Sequence, residues 1–174
     1  MNKELLISSS SNNINFALLK DGKLIEYHKD NDNTKFLVGD IYLAKIRKSL
    51  PALNAAFVNV GYEKDAFLHY HDLGHKIKTL MKFMKLVSEG KITNYSLEKL
   101  NFEKEIDKQG KIDDVLSPND TILTQIIKEP ISTKGPRISS ELSFAGRFLV
   151  LIPLSNRISV SQKIKSKKER DRLK

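Results

Sequence analysis

Two phenylalanines lie at positions where a half-buried sheet usually carries polar side chains. The stretch around Gly61 reads as two short strands, and strand alternation places Phe57 beside Asn59 and Phe67 beside His69, opposite the apolar side. Aromatic rings exposed on a sheet can stack on nucleic-acid bases. The pattern therefore predicts a base-stacking surface. The alternative is that both rings cover the open end of a small barrel or pack beneath a neighbouring segment.

Basic residues accompany these rings. Lys45 and Arg47 alternate on the preceding strand, where they can meet phosphates. The net charge of +9 is also uneven, because residues 137–174 hold ten basic and three acidic residues while residues 1–35 are balanced. This asymmetry indicates either a polyanionic partner, such as nucleic acid or an anionic membrane surface, or a solvated basic tail, and charge alone does not decide between them. A membrane is not expected, since residues 163–174 lack an apolar stripe and the longest apolar runs are too short to span a bilayer.

Candidate metal ligands and catalytic acids are few. The sequence Asp113–Asp114 lies beside a turn, and metal-assisted hydrolysis requires carboxylates that converge on one ion. His69 and His71 share one strand face, so metal binding together with His75 is geometrically open, but histidines beside a binding face are the favoured interpretation. All histidines of the chain are His28, His69, His71 and His75. We therefore predict no catalytic residue, metal site or cofactor in this chain.

The first half of the chain predicts mainly strands. Residues 3–30 read as three short strands, with the Asp21–Gly22 pair as a hairpin turn. Residues 31–35 form a polar linker, and a long strand begins after Gly39. The two strands that carry the phenylalanines follow it.

The second half begins with a segment of different character. Apolar spacing over 77–87 predicts a helix, and residues 94–107 predict a second short helix with Ser96 as its cap. Strands return beyond a turn at Pro118–Asn119, residues 147–164 read as a hairpin, and a charged helix begins near residue 165.

These elements predict a mainly β fold with a short α insertion. Five strands between residues 36 and 140, interrupted by an insertion at about 74–114, describe an OB-type barrel. Further strands flank the barrel on its N-terminal and C-terminal sides. One face of such barrels binds single-stranded nucleic acid.

Three collinear segments resemble the S1-type RNA-binding region of the ribonuclease E/G family: residues 39–73, 125–153 and 158–164. The resemblance implies strands of a partial RNase H-like subdomain at 1–35. It implies an S1-type OB-fold domain at 36–140 and the start of a 5′-sensor region at 141–174.

The resemblance also implies roles for individual residues. Phe57 and Phe67 match the RNA-stacking aromatics of the family, and Lys134 matches the lysine of its Lys-Gly loop. Arg170 and Val150 match the pocket that senses a 5′-monophosphate, for which a guanidinium fork is well suited. Asp171 stands where some relatives carry a hydroxyl residue, and a carboxylate is unfavourable beside a phosphate.

The function implied by the resemblance is that of the substrate-gripping N-terminal portion of an endoribonuclease active in rRNA maturation and mRNA decay. The metal-binding aspartates of the family, and the Mg²⁺ that they imply, belong to a nuclease domain beyond this chain. Expected partners are single-stranded RNA and either that nuclease domain or a second copy of the chain. The absence of cysteine and of a signal peptide favours the cytoplasm. The alternative is a stand-alone S1-type RNA-binding protein, such as an RNA chaperone or translation accessory.

Overall fold

A computed structural model describes residues 2–10, 13–31, 35–91 and 101–174 of the chain. Its N-terminal part is an antiparallel sheet in the order β1-β2-β3. The strands are β1 (Lys3–Ser10), β2 (Asn13–Lys20) and β3 (Lys23–Asn31). Asp21 and Gly22 join β2 to β3 with φ angles of 49° and 75°, the left-handed conformation that tight hairpin turns require. The predicted three strands are confirmed.

Five strands form a closed barrel in the order β4-β5-β6-β8-β7, in which β7 pairs back onto β4. The strands are β4 (Ile41–Leu50), β5 (Ala55–Asn59), β6 (Ala66–His69), β7 (Thr121–Lys128) and β8 (Arg137–Ser139). Only the β6–β8 pair is parallel within this barrel. This Greek-key arrangement confirms the predicted OB-type, mainly β fold.

Alternating apolar residues of the barrel strands fill its interior. Every second residue of a regular strand points inward, so in β4 Ala44 and Ile46 are buried while Lys45 between them is exposed. Burial of this apolar surface is the main source of the barrel's stability. The largest of the fully buried barrel-strand side chains are Ile46, Val58, Leu68, Ile122, Ile126 and Ile138.

The described part of the insertion packs against the barrel core. Its helix α1 (Ile77–Ser88) confirms the helix predicted from the spacing and buries Ile77. The second predicted helix is wrong over 101–107, which has no helical structure, while its proposed cap Ser96 lies outside the described residues. Tertiary packing explains the difference, because Ile106 and Ile112 are buried against the barrel core.

Two barrel residues hold the returning segment in place. The side chain of Asn54 donates to the carbonyl of Gly110 at 3.0 Å and accepts from the amide of Ile112 at 2.7 Å. The Tyr70 hydroxyl donates to the Asp107 carbonyl. Burial, with the nearby Asp107 and Asp114 carboxylates, raises the pKa of the Tyr70 hydroxyl. The insertion is therefore part of the barrel's packing.

The C-terminal segment carries two short strands and a short helix. Strand β9 (Phe144–Ala145) pairs with β10 (Val150–Leu151). The hairpin predicted within 147–164 is therefore wrong, because the strand that pairs with β10 precedes this range and residues 152–164 form no strand. Helix α2 (Lys167–Leu173) begins after Ser166, whose hydroxyl accepts from the amide of Glu169. No helix of the described residues has both the length and the apolar character needed to cross a bilayer.

Candidate nucleic-acid interface

Phe57 and Phe67 lie side by side on the outer surface of the barrel. They are direct cross-strand partners on β5 and β6, with ring centroids 6.4 Å apart and an interplanar angle of 71°. Phe57 is 37% exposed, whereas Val58 and Leu68, the next residues along each strand, are fully buried. The outward placement predicted from strand alternation is therefore confirmed. An edge-to-face arrangement is one of the favoured geometries of an aromatic pair.

The two rings line an open cleft of about 790 Å³. Every lining residue comes from 57–67 or 128–137, so the described part of the insertion, 74–91 and 101–114, does not line this cleft. The cleft thus brings Lys134, which is distant in the sequence, together with Phe57 and Phe67. Lys45, Arg47, Arg170 and Val150 do not line this cleft.

Lys134 is presented by a tight turn of the β7–β8 connection. The backbones of Ile131 and Lys134 exchange hydrogen bonds of 3.2 and 3.0 Å, and Ser132 between them has a left-handed φ of 52°. The next residue, Gly135, approaches the backbone oxygen of Asp65 so closely that a Cβ atom would overlap it. The Lys-Gly sequence is therefore explained by geometry, because only glycine allows the loop to rest against the 64–65 backbone.

A β-bulge in β4 rearranges the cations expected beside the rings. Lys45 is paired with Asn59, but the register shifts at Arg47, so that Lys48 lies directly opposite Phe57. The Arg47 side chain instead reaches Asp65, with an Nε–Oδ1 distance of 3.4 Å. All three basic residues of this strand are exposed. Simple alternation missed Lys48, because a bulge inserts an unpaired residue and changes the facing positions.

Arg137 lines the cleft, although the sequence did not indicate it. It lies beside Phe67 in the parallel β6–β8 pair. Its Nε and Nη2 atoms donate to one carboxylate oxygen of Asp72 at 2.9 and 2.8 Å. No local pattern predicts this neighbourhood, because it depends on strands that are distant in the sequence.

The residues matched to 5′-phosphate sensing lie in the C-terminal segment. Val150 is on β10 and is 61% exposed. The Nη1 atom of Arg170 donates to the carbonyls of Ser161 at 2.7 Å and of Ile164 at 3.2 Å, which ties α2 to the turn before it. Asp171 is exposed on the same helix.

The histidine and aspartate candidates do not converge on a metal site. The rings of His69 and His71 are tilted by 39° with centroids 5.0 Å apart, and the Nδ1 atom of His69 accepts from the amide of His71. Asp113 accepts from the hydroxyl of Ser49. Over 2–10, 13–31, 35–91 and 101–174, no group of three His, Asp or Glu side chains is placed to hold an ion.

A closed five-stranded barrel of this order has the OB-type fold, a class that includes domains binding single-stranded nucleic acids through exposed aromatic rings. No protein-family model matches the chain. It is 32% identical to ribonuclease G of Haemophilus influenzae over 171 residues, which cover 98% of this chain and 31% of that protein. Its identity to ribonuclease G of Escherichia coli K12 is 30% over 174 residues, covering 100% of this chain and 32% of the relative.

A third relative is ribonuclease E of Synechocystis, 34% identical over 137 residues that cover 78% of this chain and 16% of that enzyme. The chain therefore spans about a third, or less, of the length of these relatives. These similarities relate the chain to the ribonuclease E/G family and are consistent with an N-terminal part of such an enzyme. The resemblance carried by the three collinear segments is confirmed.

Proposed function

We propose that this chain binds single-stranded RNA as the substrate-gripping N-terminal portion of a ribonuclease E/G-type endoribonuclease. The observation that carries the proposal is the cleft that unites Phe57, Phe67 and Lys134. The ribonuclease relatives support the enzyme over a stand-alone RNA-binding protein. Within the proposal, the chain contributes to rRNA maturation and mRNA decay by holding RNA for a nuclease domain.

The cleft offers both kinds of contact that a single strand needs. Bases stack on the two phenylalanine rings whatever their identity, and the lysine ammonium groups neutralise phosphates. Lys64, Lys128 and Lys134 line the cleft together with the carboxylates of Asp65 and Glu129. Lys48 stands opposite Phe57 on β4, and Lys45 continues the same strand toward its start. Binding of this type is tolerant of sequence and weakens steeply as the salt concentration rises.

The remaining parts of the chain have distinct proposed roles. Residues 1–35 supply strands to an RNase H-like subdomain, residues 36–140 form the S1-type domain, and residues 141–174 begin the 5′-sensor region. In the last of these, Arg170 and Val150 take part in recognition of a 5′-monophosphate. Magnesium-dependent cleavage is assigned to a segment outside this chain, and we propose no catalytic step for the residues present here.

A direct binding measurement tests the proposal. The affinity for a fluorescein-labelled oligouridylate is measured by anisotropy for the wild-type chain and for a Phe57→Ala, Phe67→Ala double variant. If each ring stacks one base, the double variant loses about 2–6 kcal/mol of binding free energy. Phe148→Ala is the matched control, because Phe148 is 85% exposed and lies outside the cleft. Wild-type affinity in a folded double variant contradicts the proposal.

A further inference from the structure

We infer that Arg137 is an additional RNA-binding residue of this cleft and that Asp72 is the positioning residue that orients it toward a phosphate. The inference rests on the proposed function, since it concerns the same cleft. It adds a contact on the β8 side, next to the phenylalanine platform. The ligand chemistry is a phosphodiester oxygen of a single-stranded RNA.

The first line of evidence is the position of Arg137 in the cleft. Arg137 lines the cleft together with Phe57, Phe67 and Lys134. Because it is the register partner of Phe67, its backbone is fixed directly beside the stacking ring. An RNA strand whose base stacks on Phe67 therefore has its backbone within reach of the Arg137 side chain.

The second line of evidence is the orientation of the Arg137 guanidinium. Nε and Nη2 donate to the same oxygen of Asp72, so one edge of the guanidinium plane is anchored. The other edge, formed by Nη1 and the second N–H of Nη2, has no hydrogen-bond partner among the described residues and can form the paired hydrogen bonds that suit a phosphate. The Arg137 side chain is 40% exposed, whereas that of Asp72 is 17% exposed. The anchor is thus largely enclosed while the cation faces solvent.

Hydrogen bonds to the barrel hold the Asp72–Arg137 ion pair in place. Asp72 lies in the short turn that follows β6, and its backbone carbonyl accepts from the hydroxyl of Ser139 and the amide of Ser140. Both ends of the ion pair are therefore fixed by the backbone of the barrel. A fixed arginine loses less conformational entropy when it binds a phosphate than a free surface side chain does.

The direction in which an Asp72 substitution changes RNA affinity distinguishes a positioning role from a purely electrostatic one. Asp72→Asn removes a negative charge near the cleft, so charge alone predicts tighter RNA binding. If Asp72 instead holds Arg137 in its productive orientation, the same substitution weakens binding. Asp65 provides the matched comparison, because it also lines the cleft and forms an ion pair, with Arg47. That pair is loose, with one contact at 3.4 Å and an Arg47 side chain 59% exposed, so Asp65→Asn follows the charge.

The experiment measures oligouridylate affinity for the full chain as a function of salt. Arg137→Gln is expected to weaken binding about tenfold, as for loss of a charge-assisted hydrogen bond, and to lower the salt slope by about 0.7. Asp72→Asn is expected to weaken binding about threefold, while Asp65→Asn leaves it equal or tighter. Arg137→Lys also binds less tightly than the wild type, because an ammonium group cannot hold Asp72 and a phosphate with the same fork.

A double variant completes the test. In an Arg137→Gln background, Asp72→Asn no longer weakens binding, because its effect passes through the arginine. Thermal melting of each variant excludes loss of the fold as the cause. Tighter binding by Asp72→Asn, equal weakening by Asp65→Asn, or an unchanged salt slope in Arg137→Gln overturns the inference. The Phe57→Ala, Phe67→Ala result reports on RNA binding independently, so failure of the proposed function is recognised separately.

Discussion

The barrel and the N-terminal sheet are both built mainly from antiparallel pairs of short strands, yet the barrel buries its apolar residues while the sheet exposes them. Inward-facing barrel residues such as Val58 and Ile122 are completely buried. In the sheet, by contrast, Leu5, Ile7 and Leu24 are each about 60% exposed. The difference comes from closure, because a barrel packs its strands around their own side chains while a three-stranded sheet has a face without a covering layer. Independent stability is therefore expected of the barrel alone.

Hydrogen exchange would give the largest contrast between the two regions. Amides of β4 to β7 are expected to exchange only on global unfolding. Amides of β1 to β3 are expected to exchange through local opening, which costs little free energy there. The protection factors should differ by several orders of magnitude. Slow exchange across 3–31 in a demonstrated monomer would show that the sheet is stable without any covering layer.

Truncation of one leucine in each region sharpens the same comparison. Leu68→Ala in the barrel core should lower the free energy of unfolding by about 2–5 kcal/mol, because it leaves a cavity among packed side chains. Leu5→Ala in the sheet should change it by less than about 0.5 kcal/mol, because the side chain is exposed. Urea denaturation monitored by circular dichroism measures both. Equal effects would remove the distinction between the regions.

A glycine substitution tests how tightly the barrel holds its Lys134 loop. Gly135→Ala places a Cβ atom against the backbone oxygen of Asp65, so the loop must move away. The expected cost is about 1–3 kcal/mol of unfolding free energy, with weaker RNA binding as Lys134 is displaced. Melting temperature and oligouridylate affinity are measured together. A variant unchanged in both would mean that the loop position does not depend on this close approach.

High pH should weaken the barrel through Tyr70. Its pKa is raised in the folded state, so the folded chain binds the phenolic proton more tightly than the unfolded chain does. The contribution is complete below the unfolded pKa of about 10 and is lost as the pH rises through the folded pKa. Tyr70→Phe should be about 0.5–1.5 kcal/mol less stable at neutral pH, since the hydrogen bond to Asp107 is lost, and should lose less stability above pH 10. Parallel stability curves for the two proteins would contradict this.

Sequence patterns predicted the fold well wherever local periodicity decides the structure. The alternation around Val58 and the 3.6-residue spacing around Leu80 each identified the right element. The prediction failed at 101–107, where burial of Ile106 against the barrel overrides a locally helical pattern. It also failed in the hairpin within 147–164, because the partner of Val150 is Ala145, just before that window.

The candidate cleft was predictable only in part for the same reason. Strand alternation predicted the outward-facing Phe57 and Phe67, and the family resemblance supplied Lys134. Lys48 faces Phe57 through a bulge, and Arg137 reaches Phe67 through a parallel pairing of strands distant in sequence. Neither arrangement leaves a local signature, so both required the three-dimensional structure.

The short parallel pairing between β6 and β8 has a consequence for the stability of the RNA-bound barrel. These strands are registered at one position, Phe67 with Arg137, supported by a hydrogen bond from the Phe67 amide to the Pro136 carbonyl at 2.9 Å. Every other neighbouring pair in the barrel is longer. The cleft lies across this pairing, with the phenylalanines on one side and Lys134 on the other. RNA bound in the cleft would contact both sides of this short strand pair. At a hundredfold excess over its Kd, the RNA would raise the free energy of unfolding by about 2.7 kcal/mol.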